Sequence, residues 1–230
     1  DVTVDDMLKG IKLDIPDKTT MTPNGALFRT DKKGFLPTMM EELYNERVTY
    51  KKKMLSAQQE FENTKDNKYK KLISRYNNIQ MARKISLNSA YGAIGNQYFR
   101  YYDKAIAEGI TKSGQLSIRW IENKLNKYLN NILKTDEDYV VASDTDSVYL
   151  TMDKLVSETI KSDNALSKTI NFLDKVASES IEPYITKSYE QLKQYTNAYA
   201  NKMFMKREVI ADKGIWVAKK RYILNVWDSE

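Results

Sequence analysis

Residues 139–150 read YVVASDTDSVYL, with two carboxylates in a polar centre between two runs rich in Val and Tyr. β-Branched and aromatic residues favour strands, and a polar tip between two such runs predicts a β-hairpin. Side chains two apart in an extended segment leave the same face, so we expect Asp144 and Asp146 to point into one site. Two hard oxygen ligands at the end of a hairpin suit Mg²⁺. The alternative is a polar turn whose carboxylates bond local amides.

The composition excludes several kinds of site. The 230 residues contain neither Cys nor His, so disulfides, thiolate or imidazole metal sites and His-based catalysis are ruled out. Any catalytic metal must therefore be held by oxygen. The length and the 41% of hydrophobic residues allow a buried core in one or two domains. No apolar run approaches the roughly 18 residues of a membrane span and no secretory signal is visible, so we expect a cytoplasmic location, in the host cytoplasm if the protein is viral.

Positive charge is concentrated in three places along the chain. The formal net charge is +6, from 37 basic and 31 acidic residues, and the basic clusters lie at residues 51–53, 65–71 and 219–221. Such clusters favour binding to a polyanion, although a solvated helix face usually explains any single one. Three clusters beside a carboxylate hairpin shift the balance moderately toward nucleic acid.

Two long helical patterns surround a polar stretch at residues 62–70. The first follows a small hairpin predicted at residues 23–36 and begins at Pro37-Thr38, where Thr38 is expected to be the cap. The second ends near Tyr91. Two antiparallel helices joined at a polar tip form a projecting hairpin, and a simple coiled-coil arm is the alternative.

Polar residues follow one face of each helix in this predicted hairpin. Arg47 and Lys51 lie one turn apart on the first helix. On the second helix one stripe holds a cation, an amide, an aromatic ring and a glycine, namely Lys84, Asn88, Tyr91 and Gly92. This stripe is a poor core but a good platform, with Lys for a phosphate, Tyr for stacking or steric gating and Gly for close approach of a base.

The remaining chain predicts helices on a sheet. Residues 103–133 form an amphipathic pattern that we expect to pack on the back of the sheet that carries the carboxylate hairpin. Residues 165–198 behave similarly, with a kink or break at Pro183. Further strands are predicted from Met203 onward, with Glu208 among them, and a last hairpin follows at residues 214–227.

These features resemble the DNA polymerases of family B, and most closely the replicative polymerases of large tailed phages. The segment from Lys84 to Gly92 matches the family's fingers motif, Lys-x-x-x-Asn-Ser-x-Tyr-Gly. Residues 143–147, Ser-Asp-Thr-Asp-Ser, resemble its palm motif, and residues 219–222 match its primer-binding Lys-Lys-Arg-Tyr motif. Arg47 and Lys51 take the place of the other fingers cations. All four motifs occur in the family's order.

The resemblance implies a role for each matching residue. Asp146 would be a direct ligand of two catalytic Mg²⁺ ions, Asp144 a supporting carboxylate, and Glu208 an acidic neighbour of the metal site. Lys84, a catalytic cation in this scheme, would grip the incoming dNTP together with Arg47, Lys51 and Asn88. Tyr91 and Gly92 would test the shape of the nascent base pair. Primer–template DNA would be held by Lys219, Lys220, Arg221 and Tyr222.

The resemblance also implies the architecture. We expect an α+β fold with an antiparallel palm sheet backed by long helices and a projecting antiparallel two-helix fingers hairpin, as a truncated polymerase core. Residues 1–36 would be an N-terminal segment beside the palm, residues 37–96 the fingers and residues 97–230 the palm.

Two departures from the family pattern matter for activity. Ala142-Ser143 stands where the family has Tyr-Gly, and the other palm motif, Asp-x-x-Ser-Leu-Tyr-Pro-Ser, does not occur in these residues. We therefore expect a truncated or split enzyme, inactive unless another polypeptide or segment supplies the missing carboxylate, the thumb and any exonuclease. A non-catalytic primer–template or nucleotide-binding module is the alternative. A two-metal nuclease is a third interpretation, against which the fingers stripe argues, because a nuclease has no need to select a triphosphate.

Overall fold

The computed structural model describes residues 2–160 and 166–229 and contains both helices and short strands. The chain divides into two compact units, the first made of Asp1–Phe28 with Gly109–Glu230 and the second of Arg29–Glu108. The elements in chain order are α1 (Val4–Leu8), β1 (Thr19–Met21), β2 (Leu27–Arg29), α2 (Phe35–Thr64), α3 (Asn67–Ile94), α4 (Lys104–Leu133), β3 (Val140–Asp144), β4 (Ser147–Leu150), α5 (Asp153–Thr159), α6 (Leu166–Val176), a π-helical segment (Ala177–Ile181), α7 (Glu182–Thr196), β5 (Val209–Ala218) and β6 (Arg221–Ser229). The α+β class is confirmed, whereas the palm and fingers boundaries stay a prediction.

The second unit contains the predicted hairpin of two long helices. Only Lys65 and Asp66 separate α2 from α3, so the turn is much shorter than the polar stretch at 62–70. Lys65 is left-handed, with φ 55°, and the Asp66 carboxylate caps α3 by accepting the Lys68 N–H at 2.9 Å. Between the helices the rings of Tyr50 and Tyr76 lie 6.1 Å apart.

The start of α2 differs from the prediction. The helix begins at Phe35 after Gly34, so the predicted cap at Thr38 is wrong. The Thr38 hydroxyl instead donates to the Gly34 carbonyl at 2.9 Å, a bond back along the first turn that a threonine inside a helix commonly makes. The small hairpin is also displaced, because its strands are β1 and β2, with Gly25 at φ 77° between them.

The core of the first unit is built mainly from α4 and α7. Its fully or nearly buried side chains include Met7, Leu116, Ile121, Leu125, Ile185, Tyr189 and Leu192. Trp120 Nε1 on α4 donates to the Ser188 carbonyl on α7 at 2.9 Å. Val148 and Leu150 of β4 pack against this core. The hairpin thus packs on a core to which α4 contributes, while the expectation that the 103–133 helix lies on the back of a palm sheet stays a prediction.

The strands form separate hairpins. The described residues contain three two-stranded sheets, β1–β2, β3–β4 and β5–β6, and the antiparallel palm sheet stays a prediction. The register shifts between Val140 and Ala142 in β3, and at three places along β5–β6. Such bulges bend strands and interrupt the ladder that a neighbouring strand would need.

The segment before β5 is not a strand, contrary to the prediction for Met203 onward. Residues 201–208 have no regular structure. The Arg207 N–H donates to the Glu182 carboxylate at 3.0 Å, and its guanidinium pairs with Asp174 on α6 at 2.8 Å and with Asp228 on β6 at 2.7 Å.

The predicted irregularity at Pro183 takes the form of a π-helical segment. Ala177–Ile181 forms wider π turns between α6 and α7, and Pro183 lies in the first turn of α7. Proline cannot donate a helical hydrogen bond, and the π turns accommodate this loss without breaking the helix. Throughout the part of the chain described above, no helix combines the length and the apolar character that crossing a membrane requires.

Candidate functional site

The carboxylate hairpin reverses direction through Thr145 and Asp146. Asp144 pairs with Ser147 across the hairpin, and the Asp146 N–H donates to the Asp144 carbonyl at 2.6 Å. This bond closes a three-residue turn centred on Thr145, whose φ is 56°. A β-branched residue in the left-handed region costs roughly 1–2 kcal/mol. Backbone strain is thus stored between the two carboxylates, as commonly occurs at functional sites.

The backbone between Asp144 and Asp146 is not extended. The prediction that they lie on one face assumed an extended strand, and that assumption is wrong. Asp144 is half-buried and its carboxylate accepts a hydrogen bond from the Thr145 hydroxyl at 3.0 Å. Asp146 is exposed in the turn. That both carboxylates serve one site stays a prediction.

These carboxylates are suitable but incomplete as a metal site. Within residues 2–160 and 166–229, neither forms an ion pair, and no group of three acidic residues is arranged to hold a metal ion. Unpaired carboxylate oxygens are the ligands that Mg²⁺ prefers. The donor chemistry therefore fits Mg²⁺, while a complete ligand set needs at least one further oxygen donor.

Two asparagines of α4 fix the chain where it enters β3. Asn126 Oδ1 accepts the Tyr139 N–H at 2.8 Å, and Asn130 Oδ1 accepts the Glu137 N–H at 2.8 Å. The Tyr139 ring is buried, with its hydroxyl 2.7 Å from that of Thr135. The two asparagine bonds anchor the base of the carboxylate hairpin to α4.

The Lys-Lys-Arg-Tyr motif forms the tip of the β5–β6 hairpin. Ala218 pairs with Arg221, leaving Lys219 and Lys220 as the turn, and Lys220 has φ 61°. All three cations are exposed. The turn therefore presents adjacent positive charges to solvent, an arrangement suited to phosphates.

The structure brings Tyr222 of the Lys-Lys-Arg-Tyr motif close to the carboxylate hairpin, at Tyr149. The Tyr149 ring lies 5.4 Å from that of Tyr222 and 5.3 Å from that of Trp216. Burial raises the pKa of the Tyr149 phenol, the Tyr222 hydroxyl and the negative charge of Glu208 raise it further, and the Ser147 hydroxyl lowers it. Tyr222 is thus placed beside the strand that follows Asp146, while the nearness of Glu208 to the metal site stays a prediction.

In the second unit, the predicted nucleotide-binding stripe is on the surface. Lys84, Asn88, Tyr91 and Gly92 are exposed on α3, and Lys51 is exposed on α2, where Arg47 is half-buried. Arg83 Nε donates to the Glu46 carboxylate at 2.5 Å. Because residues 46 and 83 touch, the neighbouring Arg47 and Lys84 lie at one level of the helical hairpin.

Two details of this surface favour a ligand. Arg47 Nε is buried and has no hydrogen-bond partner among the described residues. An unpaired buried donor is costly, so an anionic ligand that accepts from it would gain affinity. At Gly92 a Cβ would meet nothing within 4 Å, so the fold itself does not require glycine there.

Comparison with known proteins settles the family. The sequence model of DNA polymerase family B matches residues 3–230. The chain belongs to DNA polymerase family B. It is 35% identical over 93% of its length to a DNA-directed DNA polymerase of Escherichia phage RB69, and 33% identical over 93% to that of Enterobacteria phage T4. Over 57% of its length it is 34% identical to the DNA polymerase delta catalytic subunit of Candida albicans, covering 12% of that protein. The predicted likeness to phage polymerases of this family is confirmed.

The chain spans about 30% of the length of the two phage polymerases that it matches. The alignment with the RB69 protein runs over 265 residues, more than the 230 of this chain. The relative therefore carries residues within the aligned region that have no counterpart here.

Several residues that shape the site were not found from the sequence. Tyr149 and Trp216 have ordinary strand patterns, and nothing local indicates that they meet. Arg207 and the Glu46–Arg83 pair read as ordinary surface charges. Only knowledge of which distant residues contact each other could have identified them, and a single sequence does not contain that information.

Proposed function

We propose that this chain forms a palm and fingers portion of a DNA-directed DNA polymerase that adds dNMP from dNTP to a primer 3′ end. The observation that carries the proposal is the match to two phage DNA-directed DNA polymerases over 93% of the chain. The exposed fingers stripe and the proximity of Tyr222 to the carboxylate hairpin support it. Phosphoryl transfer needs mainly in-line positioning and neutralisation of charge, which carboxylate-held metal and cations provide.

Asp146 and Asp144 would hold Mg²⁺, with Glu208 as a nearby acidic group. Two Mg²⁺ ions, when bound, supply charge neutralisation at the primer 3′ oxygen, the α-phosphate and the pyrophosphate leaving group. The strained turn at Thr145 holds the Asp146 carboxylate outward, free of competing cations among the described residues. The remaining oxygen ligand would come from a polypeptide segment outside this chain, as would the thumb and any exonuclease.

The fingers residues would select and grip the dNTP. Arg47 and Lys84, at one level of the hairpin, would bind the triphosphate, with Lys51 one turn further along α2 and Asn88 organising the contact. Tyr91 and the open surface at Gly92 would lie against the nascent base pair. Cations on such a helix would allow phosphoryl transfer only when the bound dNTP fits the site.

The tip of β5–β6 would hold primer–template DNA. Lys219, Lys220 and Arg221 would contact the duplex backbone, which gives sequence-independent affinity. Tyr222, with its ring fixed by neighbouring aromatics, would contact the primer terminus.

A non-catalytic primer–template or nucleotide-binding module is the second candidate. It is favoured by the incomplete ligand set, since no metal-binding group of three acidic residues occurs in residues 2–160 and 166–229.

Primer extension with Mg²⁺ and dNTPs tests the proposal, on the chain alone and mixed with a polypeptide that carries the Asp-x-x-Ser-Leu-Tyr-Pro-Ser motif. Extension only in the mixture is expected. Extension by the chain alone would show that its own carboxylates complete the metal site. Binding of primer–template without extension in either case would establish the binding module instead.

A further inference from the structure

Two hairpins of the first unit meet through side chains rather than through a shared sheet. The β3–β4 and β5–β6 ladders are separate sheets. They are joined by three rings, Tyr149 on β4, Trp216 on β5 and Tyr222 on β6, which we call the aromatic bridge. Tyr149 lies edge-on to both others, and Trp216 and Tyr222 stack with centroids 6.3 Å apart. Tyr149 is therefore the β4 side chain in this contact between the two hairpins.

The Tyr149 hydroxyl also has polar neighbours. The Tyr222 and Ser147 hydroxyls both influence the Tyr149 phenol, the first raising its pKa and the second lowering it. Ser147 directly follows Asp146, and its own hydroxyl donates to the Asp144 carbonyl at 3.1 Å. Tyr149, two residues after Ser147 on β4, thus lies between the carboxylate turn and the Tyr222 ring.

The far side of the bridge is fixed by Gly214. A Cβ at Gly214 would lie 2.6 Å from the end of the Trp216 ring and 2.8 Å from the Leu224 side chain. The Trp216 ring therefore occupies the space above the glycine. Trp216 stacks on Tyr222, so the packing of Trp216 over Gly214 restrains the Tyr222 ring on one side. Tyr149 restrains it on the other side.

We propose that Tyr149 is a positioning residue that sets Tyr222, and with it the primer terminus, against the Asp144–Asp146 turn. This inference rests on the proposed polymerase function. Tyr149 itself need not touch substrate. Its hydroxyl fixes the orientation of the Tyr222 phenol, and its ring sets the spacing of the two hairpins. Small misplacements of a reacting group are costly in rate, about 10²-fold for 1 Å.

The test is Tyr149→Phe, which keeps the ring contacts and removes only the hydroxyl. Tyr139→Phe is the matched control, because it removes a hydroxyl from the same hairpin, bonded to Thr135 and outside the bridge. Primer–template carrying 2-aminopurine at the primer 3′ end reports the environment of the terminus without requiring catalysis. We expect Tyr149→Phe to shift this fluorescence while the Kd for DNA and the melting temperature stay unchanged.

Turnover in the completed polymerase provides the second readout. We expect Tyr149→Phe to lower kcat about 10-fold or more with the KM for dNTP unchanged. Tyr222→Phe should give a similar loss, and the double variant should lose no more than the larger single one, since the two hydroxyls act as a unit. Tyr139→Phe should match the parent protein.

The results that would overturn the inference are distinct from those that would overturn the function. Parent-like fluorescence and kcat in Tyr149→Phe, additive losses in the double variant, or an equal loss in Tyr139→Phe would each reject the positioning role. If the unsubstituted chain fails to bind primer–template at all, the proposed function fails and the inference falls with it.

Discussion

Asp146 is an exposed carboxylate in a strained turn, with no cationic partner among the described residues. Asp146→Asn keeps the shape of the side chain and removes the charge that a metal needs. We expect incorporation by the completed polymerase to fall about 10³-fold, equivalent to roughly 4 kcal/mol in the activation barrier. The Kd for primer–template should stay within about twofold of the parent value.

Asp136→Asn is the control for Asp146→Asn, because Asp136 is exposed in the segment that leads into the same hairpin. It should leave incorporation unchanged. Full incorporation by Asp146→Asn would remove this residue from the metal site.

Substitution of Gly92 can show whether glycine is required there for folding or for ligand binding. It lies inside α3 with open space where a Cβ would be, so alanine fits the chain itself. Because glycine destabilises a helix interior by about 1 kcal/mol relative to alanine, Gly92→Ala should raise the free energy of unfolding by up to about that amount. If a base pair approaches this surface, the same change should raise the KM for dNTP. Urea denaturation and steady-state kinetics measure the two effects, and a stabilised variant with unchanged KM would contradict the predicted contact.

At the scale of elements, the β5–β6 hairpin depends on packing across its own face. Gly214→Ala would place a methyl group 2.6 Å from the Trp216 ring, so the ring must rotate away. We expect a loss of about 1–2 kcal/mol in stability, typical of overpacking, and altered tryptophan emission. The melting curve and the emission spectrum would be recorded together.

Gly114→Ala provides the comparison for Gly214→Ala. Gly114 lies within α4 and a Cβ there meets nothing within 4 Å, so alanine should stabilise the protein by up to about 1 kcal/mol. Opposite signs for the two substitutions are expected. Equal changes in stability for the two substitutions would mean that the packing of Trp216 does not require glycine at residue 214.

At the scale of the whole molecule, a buried tyrosine of the core makes the free energy of unfolding depend on pH. Burial raises the pKa of Tyr189 to about 12, above its usual value near 10. The neutral phenol is favoured in the folded state, so this stabilisation is complete below pH 10 and is lost as pH rises to about 12. The shift corresponds to about 3 kcal/mol. The pKa values of Tyr149, Tyr184 and Tyr195 are also raised by burial, so they act in the same direction.

Urea denaturation at pH 9, 10 and 11 measures this dependence, and Tyr189→Phe is the matched variant. The variant should lose less stability than the parent between pH 9 and 11, because phenylalanine does not ionise. An identical decline in both proteins would show that Tyr189 titrates at its ordinary pKa in the folded chain.

The sequence by itself determined the elements whose causes are local. Apolar and polar residues at helical spacing specified α3 and α4, and a polar pair between two strand-forming runs specified the β3–β4 hairpin. The motif at 219–222 and the fingers stripe gave the family, which the comparisons confirmed. Each of these signals lies within a few residues of the structure that it causes, so one sequence suffices to detect it.

The tertiary structure decided what depends on distant partners. Arg207, in the irregular segment before β5, contacts α6, α7 and β6, each through a residue that is distant from it in the chain. The meeting of Tyr149 with Trp216 and Tyr222 follows from how two hairpins pack on a core. The strained turn at Thr145 could not be found from spacing, because alternation assumes an extended backbone. These features arise from contacts between residues far apart in the chain, whose energies compete with local preferences and are set only once the core has formed.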